Sequence, residues 1–130
     1  MYYLYVAIFG AIGAAARYWI SITLEAGLFP YNTLLINMIG CFLLAIIFRY
    51  LATFSMISKA LITGLGTGLI GSFTTFSTFS IQTADLILDG KYIIAGLYII
   101  TSLVGGFLSA GFGVYISNKL IAGRELKQDD

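Results

Sequence analysis

Residues 71–80 (GSFTTFSTFS) combine hydroxyl groups and aromatic rings within a stretch that contains no charged residue. Six of the ten residues are Ser or Thr, and Phe73, Phe76 and Phe79 recur at intervals of three. On a helix this spacing would place the three rings along one stripe, with hydroxyls beside them. Because hydroxyls donate hydrogen bonds and ring edges carry partial positive charge, this chemistry suits a small anion. The alternative is that the stripe only packs against other helices.

Two polar residues interrupt the earlier apolar segments. Arg17 lies in the second half of the segment 4–24, where a guanidinium needs an anion, water or carbonyl oxygens as a partner. It could instead extend to the membrane interface beside Tyr18 and Trp19. Asn37 could bind a ligand, or it could join two helices by hydrogen bonding.

The last apolar segment contains a thin polar track and a face of small residues. Tyr98 and Ser102 lie one helical turn apart on this segment. Gly105, Ser109 and Gly113 recur at intervals of four on a neighbouring strip, which favours tight contact with another helix.

Glycines are concentrated just before the 71–80 motif. The pair Gly64 and Gly68 would allow another helix to approach closely, and Gly66 and Gly71 add to the density. Because glycine lowers helix stability and hydroxyls compete for backbone hydrogen bonds, we expect the helix to break near residues 71–75. A break at membrane depth is tolerated where it faces protein or a cavity, and its freed carbonyls could bind a cation.

The composition shows which elements must position these residues. The chain has 130 residues, of which 59% are hydrophobic and 10% charged, and its mean hydropathy is +0.95. These values are typical of a membrane protein. Since a helix needs about 20 apolar residues to cross the hydrocarbon, the charge-free runs predict one all-α transmembrane domain. Its four spans are predicted at roughly 3–24, 32–52, 59–83 and 92–118.

The titratable residues argue against catalysis and against proton coupling. The chain has no His, and its carboxylates lie at the ends of spans or in the tail: Glu25, Asp85, Asp89, Glu125, Asp129 and Asp130. We therefore expect no enzyme activity, because no acid–base pair or activated nucleophile lies within a span. Proton-coupled carriers usually keep a carboxylate in a span. A passive pathway and a purely structural membrane protein remain as the alternatives.

The chain resembles the Fluc (CrcB) family of fluoride channels over nearly its whole length. The resemblance rests on GAIGAAARY (10–18), NTLLINMIGCF (32–42) and above all residues 71–80, in the family order. It implies a fluoride-selective channel in the cell (inner) membrane that passively exports fluoride and so confers fluoride resistance. The alternatives are a small-solute or small multidrug-type four-helix exporter and a structural membrane protein.

The resemblance also implies an assembly and a set of site residues. The expected assembly is an antiparallel, dual-topology-type dimer with two fluoride pathways and a structural sodium ion where the broken third helices cross. The residues matched to the fluoride pathway are Phe76 and Phe79 (ring edges), Ser77 and Thr78 (hydroxyls), Asn37 (amide), Tyr98 and Ser102 (polar track) and Arg17 (vestibule). Those matched to sodium, through backbone carbonyls, are Gly71 and Thr74. The chain departs from many relatives at Gln82, where they have Glu, and at Gly106, where they have Ser.

The distribution of basic residues predicts orientation and bears on the partner. One side of the membrane would hold the second connection, both termini and five basic residues: Arg49, Lys59, Lys119, Arg124 and Lys127. Only Lys91 falls on the other side, so the positive-inside rule places both termini in the cytoplasm. An antiparallel dimer needs both orientations, so the partner is either a second copy or a related subunit of opposite orientation, and the bias favours the latter. Membrane lipid is the other expected partner, and no nucleic acid is expected.

Overall fold

The computed structural model describes residues 2–24 and 27–126, and every regular element in these ranges is helical. The helices are α1 (Tyr2–Thr23), α2 (Tyr31–Arg49), α3 (Lys59–Thr63), α4 (Gly71–Phe73), α5 (Phe76–Leu88) and α6 (Tyr92–Glu125). A 3₁₀ turn (Leu51–Thr53) follows α2, and a π-helical segment (Gly64–Ile70) joins α3 to α4. Glu25, Lys127, Asp129 and Asp130, on which part of the charge pattern rests, lie outside the described residues.

Four stretches are long and apolar enough to cross a membrane: Tyr2–Thr23, Tyr31–Thr53, Lys59–Leu88 and Tyr92–Glu125. The prediction of an all-α, multi-pass membrane protein is therefore confirmed. The 34 residues of α6 extend beyond the predicted span. At 1.5 Å per residue they measure about 51 Å, whereas the hydrocarbon core is about 30 Å thick. α6 is therefore longer than the membrane core is thick.

Glycine allows the π-helical segment to pack directly against the backbone of α1. A methyl group on Gly13 would collide with the carbonyl of Leu69, and one on Gly68 would lie 2.8 Å from the carbonyl oxygen of Val6. A methyl group on Gly64 would lie 2.8 Å from the Cβ of Tyr5. The close approach predicted for Gly64 and Gly68 is thus confirmed, and α1 is the helix that approaches.

The small-residue face of α6 packs against α2 in the same way. A methyl group on Gly113 would lie 2.7 Å from the carbonyl oxygen of Phe42, and one on Gly105 would lie 3.0 Å from the sulfur of Met38. The buried core beyond these contacts is small and centres on Tyr98, Leu86 and Ala95. Most large apolar side chains face outward, as expected of helices that contact lipid.

Candidate functional site

The backbone is extended at Thr74 and Thr75, between the end of α4 and the start of α5. Thr74 has φ −77° and ψ 160°, and Thr75 has φ −148° and ψ 124°. The side chain of Asn37 on α2 brackets this segment: the Thr75 N–H donates to Asn37 Oδ1 at 2.9 Å, and Asn37 Nδ2 donates to the Thr75 carbonyl at 2.9 Å. One amide side chain thus satisfies both backbone groups of Thr75, much as a neighbouring strand would.

The side chain of Thr75 caps the N-terminus of α5 and lies within hydrogen-bonding distance of the hydroxyls of Ser77 and Thr78. Thr75 Oγ1 accepts a hydrogen bond from the Thr78 N–H at 3.1 Å, as an N-cap, and donates to Thr78 Oγ1 at 2.9 Å. Its oxygen also lies 3.3 Å from Ser77 Oγ. The structure therefore brings Ser77 and Thr78 together around Thr75, which the sequence did not single out. The available signal was a Thr three residues before Thr78, at a position typical of an N-cap.

Arg17 lies beside this hydroxyl cluster. It lines a cavity of about 180 Å³ together with Thr33, Thr75 and Thr78. Its Nε is buried and has no hydrogen-bond partner among the described residues. Tyr18, its neighbour in sequence, also lines the cavity but is 67% exposed. The Arg17 guanidinium therefore has a buried donor and lines a cavity with three threonines.

The three phenylalanines of the motif do not form one stripe. Phe73 is buried, whereas Phe76 is 78% exposed, because the extended segment between them reorients the chain. The prediction of a continuous stripe is therefore wrong for Phe73. Phe76 and Phe79 do pair, with ring centroids 5.8 Å apart, and Phe79 in turn packs 5.1 Å from the ring of Tyr98.

The polar track on α6 has one satisfied hydroxyl and one unsatisfied hydroxyl. Tyr98 is fully buried, and its O–H donates to Gln82 Oε1 at 2.9 Å. Ser102 Oγ, one turn further along, is buried and has no hydrogen-bond partner within the described ranges. Gly106 follows on the next turn, where an added methyl group would lie 3.6 Å from Cys41 Sγ. Gln82 thus extends the track from α6 to α5.

Two residues offer backbone oxygens near the extended segment. In a continuous helix the Gly71 carbonyl would accept from the Thr75 N–H, but that donor is directed to Asn37. Thr74 lines a second cavity, of about 300 Å³, together with Asn37, Gly40 and Phe76. Its hydroxyl donates to the Ile70 carbonyl at 2.9 Å. The described residues contain no cluster of three or more His, Cys, Asp or Glu residues that could bind a metal.

Taken together, the structure arranges most of the predicted pathway residues, though not Ser102, in two groups of contacts. Arg17, Asn37, Ser77 and Thr78 lie around Thr75. The second group runs along a line of contacts: Phe76, Phe79, Tyr98 and Gln82. Such an arrangement can bind a small anion through hydroxyl, amide and guanidinium donors and through ring edges.

Comparisons with known proteins point to one family. The family model described as "CrcB-like protein, Camphor Resistance (CrcB)" matches residues 4–114. A protein of Listeria innocua serovar 6a named "Fluoride-specific ion channel FluC 2" is 51% identical over 121 residues, which cover 93% of this chain and 94% of the relative. Its counterpart in Listeria monocytogenes serovar 1/2a is 48% identical with the same coverage. "Fluoride-specific ion channel FluC 1" of Bacillus cereus is 45% identical over 92% of this chain and 89% of the relative.

Proposed function

Because this chain belongs to the CrcB family, we propose that it is a subunit of a fluoride-specific ion channel of the cell membrane. Fluoride leaves the cytoplasm through it, down its gradient, and the cell becomes resistant to fluoride. Membership in this family, whose curated relatives are channels, also confirms the prediction that the chain is not an enzyme.

The observation that carries this proposal is a pair of buried donors, Arg17 Nε and Ser102 Oγ, that have no hydrogen-bond partner within residues 2–24 and 27–126. A buried donor left unsatisfied costs about 1–3 kcal/mol, so proteins rarely keep one without a reason. Fluoride is a small acceptor that would satisfy either group. The two donors lie on different helices, α1 and α6, which suits a pathway with several contacts rather than a single site.

The remaining residues provide several moderate contacts along such a pathway. We assign ring edges to Phe76 and Phe79, hydroxyls to Ser77, Thr78 and Tyr98, and the vestibule to Arg17. A strongly hydrated ion needs replacement donors at each step, and no one site should hold it too tightly. Among the described residues, carboxylates occur only at helix ends, at Asp85, Asp89 and Glu125. The residues assigned to the pathway therefore include no acid that would repel fluoride.

Asn37 has a dual role in this proposal. Its amide already bonds both backbone groups of Thr75, so it first holds the extended segment in place. An amide nitrogen has two N–H donors, and only one is used on the Thr75 carbonyl. The second N–H is available to fluoride. The two interpretations of Asn37, helix joining and ligand binding, are therefore compatible.

We further propose that the extended segment is the break in the third span and that Gly71 and Thr74 offer their carbonyls to a structural sodium ion. Carbonyl oxygens are suitable ligands for a hard cation, and the Gly71 carbonyl has lost its helical donor. Gly71 is exposed, so a second subunit could complete the coordination. A fixed cation there would make the potential along both pathways more favourable to an anion.

Exposure of a pathway residue supports a dimer. Phe76 is 78% exposed in the single chain, whereas a selective pathway must be enclosed, so we infer that an antiparallel partner covers it. The partner is a second copy or a related subunit. The charge bias favours the related subunit, because Lys91 is the one basic residue expected on its side of the membrane and most of the others are expected on the opposite side.

Ion flux from liposomes tests the function directly. The purified chain, alone or with a related subunit, is reconstituted with potassium fluoride inside, and fluoride release is followed with an electrode after a potassium ionophore is added. We expect rapid fluoride release and retention of chloride in a parallel preparation. Fluoride retention in both preparations would contradict the channel. Release that stops when only a proton gradient is collapsed would instead indicate a coupled exporter.

A further inference from the structure

A cleft at one end of the molecule has a polar side and an apolar side. It lies at the connection between α2 and α3 and has a volume of about 560 Å³. Ser55, Ser58 and Lys59 form much of its polar side, and Phe54, Ile57 and Ile62 form much of its apolar side. None of these residues belongs to the proposed fluoride pathway or sodium site, so the cleft needs a separate explanation.

Donors in this cleft are free to bind an anion. Ser58 Oγ accepts from the Leu61 N–H at 3.2 Å, which leaves its own O–H available to donate. Lys59 is exposed, and the one ion pair between described residues is Lys91 with Asp89, elsewhere in the molecule. The ammonium of Lys59 therefore has no carboxylate partner within the described chain.

A second cation, Arg124, does not line the cleft but contacts a residue that does. The guanidinium of Arg124 lies over the ring of Phe54, 4.0 Å from its centroid, and Phe54 lines the cleft. Glu125 is next to Arg124 in sequence but forms no ion pair with it. Lys59 thus lies in the cleft and Arg124 lies beside it across the Phe54 ring, and neither forms an ion pair with a described carboxylate.

The surroundings of the cleft place it at the membrane surface. Arg49 is the last residue of α2, and the next turns carry the ring pair Tyr50 and Phe54, 5.1 Å apart, which is typical of the aromatic belt at an interface. Met56, between Phe54 and Ile57, is 97% exposed. An apolar side chain this exposed beside unpaired cations suits a surface that contacts lipid headgroups and the upper acyl chains.

We propose that this cleft binds an anionic phospholipid. The phosphate contacts the Lys59 ammonium and the hydroxyls of Ser55 and Ser58, while Arg124 contributes a second positive charge. The upper acyl chains lie against Ile57 and Ile62, and Met56 enters the bilayer. A zwitterionic lipid fits less well, because the described lining has no carboxylate to balance its ammonium group. This site is independent of fluoride conduction.

Thermal unfolding of the full chain in an uncharged detergent tests the proposal. We expect phosphatidylglycerol to raise the melting temperature and phosphatidylcholine with the same acyl chains to leave it nearly unchanged. Each cation near an anionic headgroup contributes about 1 kcal/mol, so Lys59→Gln and Arg124→Gln should each weaken the apparent affinity for phosphatidylglycerol about fivefold. Lys91→Gln is the matched control and should not weaken it, since Lys91 lies at the other end and is paired with Asp89.

Three outcomes would overturn the lipid site. They are equal stabilisation by the two lipids, unchanged affinity in both the Lys59 and Arg124 variants, and full stabilisation by inorganic phosphate alone, which would indicate a soluble anion. The melting temperature without lipid shows whether each variant is folded. Mass spectrometry of the intact protein then gives a second measurement, because Met56→Ser and Lys59→Gln should each lower the number of phosphatidylglycerol molecules retained, and unchanged retention in both would also contradict the site.

Discussion

At the scale of single residues, Phe76 and Phe79 share a proposed role but differ in how much they contribute to the fold of the chain. Phe79 is half-buried and packs on Tyr98, whereas Phe76 is 78% exposed. Truncating a buried phenylalanine costs about 3–5 kcal/mol of stability, and most surface substitutions cost less than about 0.5 kcal/mol. The two positions therefore allow conduction to be separated from folding.

We predict that Phe76→Ala lowers fluoride flux about tenfold, because it removes a ring edge that contacts the ion, while the melting temperature of the subunit hardly changes. Phe79→Ala should lower both flux and stability. Phe9→Ala is the control: Phe9 stacks on Tyr5 at 6.3 Å within α1, so its loss should reduce stability but not flux per folded protein. Normal flux in both Phe76→Ala and Phe79→Ala would remove these rings from the pathway.

Asn37 is the residue on which the extended segment most depends. Replacing it with Leu removes two hydrogen bonds and leaves the buried backbone of Thr75 unsatisfied, which should cost about 2–4 kcal/mol. Asn118→Ala is the control, because Asn118 is exposed and accepts one bond from Arg49 Nε. Denaturant unfolding of both variants provides the measurement. If Asn37→Leu lowered the free energy of unfolding no more than Asn118→Ala does, the two hydrogen bonds between Asn37 and Thr75 would not be needed for stability.

At the scale of the elements, hydropathy predicted the four long apolar helices, since the membrane sets the minimum length of any helix that crosses it. The roles of Asn37 and Thr75 could not be predicted in the same way. They depend on hydrogen bonds between residues 38 positions apart, and spacing within one segment carries no information about such a pair. The stripe does not include Phe73 because the spacing aligns the three rings only on a continuous helix, and the backbone is extended at Thr74 and Thr75.

The proposed sodium site at the extended segment leads to a prediction about how stability and flux depend on sodium. If the Gly71 and Thr74 carbonyls bind the ion, the assembled protein should lose stability when sodium is absent, because a ligand bound only to the folded state stabilises it. We predict a lower melting temperature and loss of fluoride flux after purification in potassium or N-methylglucamine, and recovery of both when sodium is returned. Two controls at matched ionic strength are used: a lithium salt in place of the sodium salt, and chloride salts without sodium. Neither should restore stability or flux. Full stability and flux in protein that has never contained sodium would contradict the site.

At the scale of the whole molecule, the two sides of the membrane differ in charge. Arg49 Nε donates to Asn118 Oδ1 at 2.9 Å, which joins the end of α2 to the distal part of α6. In the order of the helices, the connection between α2 and α3 and the tail fall on the same side of the membrane. The basic residues on that side are Arg49, Lys59, Lys119 and Arg124. Arg49 is the last residue of α2, near the end of the second apolar stretch, where a basic residue counts toward the bias. Lys127 would add to it but lies outside the described residues.

This asymmetry predicts how the chain inserts when it is expressed alone. Because basic residues near span ends are retained in the cytoplasm, we expect the tail on the cytoplasmic side in nearly every copy. A fluorescent reporter and a reporter active only outside the cytoplasm, each fused after residue 130, would measure the two orientations. The double change Lys59→Gln and Lys119→Gln should shift a measurable fraction to the opposite orientation, whereas Lys91→Gln should not.

The same experiment decides between the two proposed partners. An antiparallel pathway needs one subunit in each orientation, so a chain that inserts one way should not release fluoride alone and should gain flux when a related subunit of opposite orientation is added. The expected result is therefore a cytoplasmic tail, no flux alone and flux on co-expression. Tails on both sides of the membrane, together with fluoride flux from the chain alone, would show instead that two copies of this chain form the channel and that the charge bias is too weak to fix its insertion.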